Sequence, residues 1–231
     1  FFSLDKISLD GEGVAVVLSC RTSENEVVQV ATAIVNEGDA HCYEYLLRNC
    51  KKNPDMRGFL MSAETTCFYA GDLEAMAALA AEMPQVQQHW CLFHVINNYA
   101  PDIGPDCFSK LLDAARAPTC DLFKECMDMV NATEPATFAG LMSIPLQYWT
   151  HHVSPGHTVI LDQVTSHAKE LMCSLLDKEA RSLPIIELLE HITRFTSEQF
   201  VEREIQLPGY RYGYTNFAVN TYKRERLQGD R

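Results

Sequence analysis

Apolar and polar positions alternate with a strand-like period over the first part of the chain and shift to a helical period further on. Phe1 to Leu4, Gly13 to Arg21 and Glu26 to Val35 are rich in Val, Ala and Phe and read as three strands. The last two are joined by the turn-like Thr22-Ser23-Glu24-Asn25. Asp39 to Cys50 has helical spacing, with Cys42, Tyr45, Leu46 and Asn49 on one side, and the polar stretch Lys51 to Asp55, interrupted by Pro54, reads as a connection. Cys67 to Ala70 is a short apolar strand that ends at Gly71-Asp72. Asp72 is placed to N-cap the Ala-rich run Leu73 to Met83, which Pro84 closes. A second apolar run, Val86 to Phe93, leads into His94.

Strands in succession, then helix, strand, helix, strand, predict an α/β fold. The expected form is an RNase H-like mixed sheet, three antiparallel strands then parallel ones, with helices on both faces. In a parallel strand-helix-strand unit, chemistry gathers beyond the carboxyl ends of the strands, here near Ala70 to Asp72 and Cys91 to His94. From Tyr99 the pattern changes. Pro101-Asp102-Ile103-Gly104-Pro105 breaks the chain, and helices are expected at about 106–116, 119–131, 134–142, 165–180 and 184–197, with an internal turn at Ser154-Pro155-Gly156.

Composition narrows the classes. With 231 residues, 47% hydrophobic and 22% charged, the chain can bury a substantial core. No apolar stretch approaches the roughly 20 residues of a transmembrane helix, so no membrane span is expected. Nine cysteines, odd in number and mostly set in apolar runs, argue against a disulfide framework and for a reducing, intracellular setting. The net charge of −12 opposes non-specific attraction to nucleic acid, because that attraction comes from Lys and Arg neutralising phosphates. Contact with DNA therefore calls for help from regions outside this chain, which begins at Phe1 and reads as a fragment.

Candidate chemistry is sparse. Asp5 lies in the apolar strand FFSLDKIS, either at an exposed strand end or as a buried carboxylate that needs a partner or a cation. Asp10, before Gly11, reads as a turn residue, and Gly11-x-Gly13 is too short for a phosphate loop. Glu170 borders the apolar stripe Ala168, Leu171, Met172, Leu175 and Leu176, and is either solvated or turned toward the sheet. Cys91 and His94 form one Cys-x-x-His. A structural zinc needs about four ligands and no second pair has suitable spacing, so zinc is not expected, although His89, His151 and His152 remain as completing residues. A Cys-His nucleophile lacks a visible orienting group.

These residues resemble Mutator-like (MULE) transposases. Asp5 and the following DGEGVAVVLSCRTSENEVVQVATAIVNEGDAHCYEYLLRN look like the family's first acidic strand, meander and helix. PQVQQHWCLFHVINN is similar to its Pro-ended helix and Cys-x-x-His stretch. VTSHAKELMCSLLDKEARSLPIIELLEHI resembles its terminal helix, with Glu170 before Arg181-x-Leu183-Pro184, and Trp149 falls where the family tends to have a Trp. The resemblance covers about residues 1–197. It implies an Asp-Asp-Glu site binding two Mg²⁺ or Mn²⁺ ions, with Asp5 as first acid, Glu170 as third, and Cys91 and His94 as an accessory pair. Counting back from Pro84 puts Ala70 at the second acid, so either Asp72, two residues late, or Glu64 must stand in, the latter if Gly58 to Met61 is the strand.

The implied organisation is a core begun by 1–98, a helical insertion at 99–163, terminal helices at 164–206 completing the core, and an arm or linker at 207–231 in which Lys223, Arg224 and Arg226 are candidate phosphate contacts. The implied activity is DNA strand cleavage and transfer in the nucleus, with a homo-oligomer as one expected assembly. The alternative is a domesticated, cleavage-impaired domain acting as a DNA-associated regulator or protein-interaction module. A thiol or metal enzyme built on Cys91 and His94 is a third reading.

Overall fold

The computed structural model describes residues 2–10, 13–21, 26–36, 40–62, 65–153 and 175–206. In chain order the elements are β1 (Phe2–Ser8), β2 (Val14–Arg21), β3 (Val27–Val35), α1 (Ala40–Lys52), α2 (Pro54–Leu60), β4 (Thr66–Tyr69), α3 (Leu73–Glu82), β5 (Gln87–Trp90) and α4 (Leu92–Tyr99). There follow α5 (Pro105–Arg116), α6 (Cys120–Thr133), α7 (Pro135–Met142), a 3-10 turn at Leu146–Tyr148, α8 (Lys178–Arg181) and α9 (Ile185–Gln206). The strands form one sheet in the order β3-β2-β1-β4-β5. β2 and β3 are antiparallel, whereas β1, β4 and β5 pair in parallel, the mixed sheet expected of an RNase H-like fold.

The chain divides into two compact units, one of Phe1–Asp5 with Glu37–Ser166 and the other of Lys6–Asn36 with His167–Arg231. In the first, Phe2 and Leu4 of β1 are fully buried, as are all four residues of β4, which explains the unbroken apolar character of these strands. The helical part packs Leu92, Val95, Leu111, Phe123, Met127, Val130 and Trp149 into one core. Its ends are capped: Thr119 accepts from the Leu122 N–H, and Glu134 accepts from the Gly104 N–H and the Thr137 hydroxyl, both at 3.0 Å. In the second unit, Ala15 and Val17 of β2 pack with Leu175, Leu176, Leu188 and Ile192. A bulge between Leu18 and Ser19 shifts the β2–β3 register, and Thr196 donates to Gln29 at 2.9 Å.

Several local expectations are corrected. Lys51 to Asp55 is not simply a connection: Asn53 caps α2 by accepting from Asp55 and Met56, and Pro54 opens the helix, where its missing N–H costs nothing. Gly58 to Leu60 is therefore helical, and the strand on which Glu64 depended as a stand-in does not exist. The buried face of α1 is Cys42, Tyr43, Leu46, Leu47 and Cys50, while Tyr45 is 60% exposed, so the stripe runs one position away from the one expected. Val86 to Phe93 is not one strand. β5 stops at Trp90, and Leu92, Val95 and Ile96 are buried at helical spacing in α4. The expected helix 165–180 is interrupted before α8, because Asp177 is the N-cap of that helix and accepts from the Ala180 N–H at 2.8 Å.

Candidate active site

Parallel pairing sets the ends of β4 and β5 beside the middle of β1. Leu4 is opposite Tyr69 and Tyr69 opposite Trp90, so Asp5, still within β1, lies at the level where β4 and β5 give way to Ala70 and Cys91. This is the carboxyl edge where α/β folds place ligands.

Asp5 is buried at 8% exposure, and its Oδ2 is shut away from solvent with no hydrogen-bond partner. Burial pushes its carboxyl up to about 6; the charge of His94 and a hydrogen bond from Ser3 oppose that rise, and the charge of Asp72 adds to it. Cys67, fully buried on β4, is held well above the ordinary thiol range by burial and by the Asp5 charge, and stays a neutral thiol.

Asp72 reaches this edge by a detour. After Ala70 the chain turns through Gly71 at φ +85°, a left-handed conformation that glycine tolerates without strain. A side chain at Gly71 would meet the Trp90 indole at 2.9 Å. The turn delivers Asp72 as N-cap of α3: its Oδ1 accepts from the Ala75 N–H at 2.6 Å, and its Oδ2 accepts from the Tyr43 hydroxyl at 2.8 Å. Tyr43 is 1% exposed, and burial together with the Asp72 charge holds its hydroxyl protonated as a donor. Trp90 is fixed in turn by donating to the Tyr69 hydroxyl at 2.8 Å and by stacking on Tyr148 at 5.4 Å.

Cys91 and His94 straddle the start of α4. Cys91 is buried at the N-cap position and makes no side-chain cap bond. His94, half-buried in the first turn, has its Nδ1 closed off without a hydrogen-bond partner and is close enough for its charge to act on Asp5. His89 turns elsewhere. It is buried against Phe68 at 5.0 Å with the His151 ring at 6.0 Å, its Nδ1 meets the Trp90 carbonyl, and burial pulls it down to about 4. Among the described residues, no three of His, Cys, Asp and Glu converge as a metal-binding group. Glu170 and Glu64 lie outside the described residues.

Of the expected site residues, Asp72 and His94 lie near enough for their charges to act on Asp5, without the three forming a metal-binding cluster. Sequence reasoning missed Tyr43; the signal was the apolar run at i, i+1, i+4 and i+5 in α1, which places Tyr43 inside. Asp5 is compatible with a cation ligand, since a buried carboxylate oxygen without a hydrogen-bond partner beside a second carboxylate is stabilised either by its proton or by a positive charge. A carboxylate offers about four acceptor positions, so two hydrogen bonds orient Asp72 without exhausting it.

The five-stranded sheet, antiparallel on one side and parallel on the other, with its helices is an RNase H-like α/β fold. The family model described as the MULE transposase domain matches residues 10–98, so this part of the chain is similar to that domain. The matched range contains Asp72, Cys91 and His94, and begins after Asp5. No curated protein matches the chain. No helix among the described residues is long and apolar enough to cross a membrane.

Proposed function

We propose that this domain acts on DNA by metal-assisted phosphoryl transfer, with Asp5 and Asp72 holding a divalent cation and Glu170 supplying the third carboxylate. The observation that carries the reading is the orphaned Oδ2 of Asp5, buried and electrostatically coupled to Asp72 at the edge where two parallel strands end. Asp5, Asp72 and Glu170 would be the residues to hold divalent ions, which when bound would supply activation of an attacking hydroxyl and neutralisation of phosphate charge. The chain's own part is to fix the ligands: β1 and its Ser3 contact hold Asp5, and the α3 N-terminus and Tyr43 hold Asp72. His94 sits beside Asp5 and tunes its charge. The organisation that goes with this reading is a core of 1–98 and 164–206, a helical insertion at 99–163 and an arm at 207–231. Its setting is the nucleus, and with a net charge of −12 its hold on DNA depends on regions beyond these residues.

Calorimetric titration of Mn²⁺ together with nicking of supercoiled DNA tests the proposal. Binding and nicking that Asp5→Asn and Glu170→Gln both abolish is the expected result; absence of Mn²⁺ binding defeats it. A second reading, a cleavage-impaired domain retained as a DNA-associated regulator or interaction module, is favoured by one specific feature. The register neighbour of Asp5 is Ala70, and the nearest described carboxylate beyond it, Asp72, already serves as a helix cap. Mn²⁺ binding without nicking is the outcome that selects it.

A further inference from the structure

We infer that Tyr43 is a positioning residue for Asp72, part of a device that recovers a carboxylate displaced by two residues from the strand end. The inference rests on the metal-holding reading above and names how that site is kept in geometry. In a parallel register, the residue after Tyr69 lies beside Asp5, and that residue is Ala70, which has no ligand atom. A carboxylate two positions later returns to Asp5 only if the chain turns back and the side chain is then aimed. Each requirement has its own residue. Gly71 supplies the turn at φ +85°, backed by the Trp90 indole, which leaves no room for a side chain there. The first turn of α3 fixes one oxygen through the Ala75 N–H, and the Tyr43 hydroxyl fixes the other.

Tyr43 comes from α1, a separate helix that packs against α3 and is tied to its far end by Arg48 and Lys51 on Glu82. The carboxylate is therefore held from two helices at once and is not at liberty to rotate away from Asp5. Hydrogen bonds from surrounding groups that orient a metal-ligating side chain commonly set metal affinity within a factor of about 10–100. The cap bond needs only one oxygen of Asp72, and the buried Tyr43 hydroxyl fixes the other, so both oxygens are oriented.

The test is Mn²⁺ binding to the 231-residue chain and to Asp72→Asn, Tyr43→Phe and Tyr43→Met, read by calorimetry and by the electron paramagnetic resonance line shape of the bound ion, with metal-free melting measured in parallel. Asn retains the cap, Phe retains the buried ring and Met fills the buried site with an apolar side chain, so all three are expected to fold. The expected result is Mn²⁺ binding by the parent chain, none by Asp72→Asn, and a loss of about 10- to 100-fold with an altered line shape in both Tyr43 variants. Binding and line shape in Tyr43→Phe equal to the parent overturn the inference while leaving the metal site standing. No Mn²⁺ binding by the parent chain overturns both. A loss of melting temperature in Tyr43→Phe with unchanged Mn²⁺ affinity assigns Tyr43 to helix packing alone and overturns the inference.

Discussion

The carboxyl edge of β1, β4 and β5 and the helical segment α5 to α7 treat their polar groups in opposite ways. In the helical segment, Glu134 is half of a closed arrangement with Gly104 and Thr137, Thr119 caps α6, and the apolar side chains of Phe123, Met127 and Val130 fill the core. Just after it, among the described residues, the unpartnered buried atoms are ring nitrogens of Trp149 and His152, and burial favours the neutral form of that histidine. At the strand edge the unpartnered atoms include, beside ring nitrogens of His89 and His94, a carboxylate oxygen of Asp5, whose charged form is the costly one, and a second carboxylate acts on it. Stability accounts for the first arrangement and works against the second. A buried acid beside another acid is neutralised by a proton or by a cation, and the two alternatives respond differently to pH and to added metal.

Mutation on each side separates the two regions most visibly. Trp149→Ala in the helical core, fully buried against Phe123, costs about 3–5 kcal/mol in urea unfolding and leaves the Mn²⁺ affinity of the folded protein unchanged. Asp5→Asn goes the other way. The folded-state carboxyl, raised from 3.8 to about 6, holds its proton more tightly than the unfolded chain does, so its contribution is most favourable below pH 3.8 and is lost as pH rises to about 6. Each tenfold change in proton affinity is worth about 1.4 kcal/mol, so Asp5→Asn in EDTA gains up to about 3 kcal/mol at about pH 7.5, and far less near pH 4. Equal effects at both pH values contradict the assignment.

Smaller effects bear on the same contrast. Gly71→Ala loses about 1–2 kcal/mol from the left-handed backbone alone, with the Trp90 clash added, and is checked by urea unfolding. The two N-caps then separate structure from function. Thr119→Ala costs about 1 kcal/mol and does nothing to metal binding, whereas Asp72→Asn changes stability by only a few tenths and removes Mn²⁺ binding. Thermal melts beside Mn²⁺ titrations check the pair.

Much of the fold was legible because the strands of the sheet are runs of buried apolar residues and because Asp72 and Pro84 mark the bounds of α3. The α2 and α4 helices were not. Each spans two turns, too short for a period to stand out, and α4 is joined to β5 by a single residue, Cys91, so strand and helix read as one apolar run. Asp5 could be picked out as an acid among apolar neighbours, yet its burial depends on the pairing of β1 with β4, a contact between residues more than sixty apart. The role of Asp72 was visible as a cap but ambiguous as a ligand, since only the Gly71 turn and the Tyr43 bond aim it. Neither follows from spacing along the chain.

The most direct test of the acidic pair is the titration of the Asp5 carboxyl itself, followed by carbon-13 NMR with and without Mg²⁺. The expected midpoint lies near 6 in the metal-free protein and moves down by at least about one pH unit when Mg²⁺ is present, because a bound cation favours the ionised form. A midpoint in the ordinary carboxylate range, unmoved by Mg²⁺, contradicts the pairing of Asp5 and Asp72 as cation ligands.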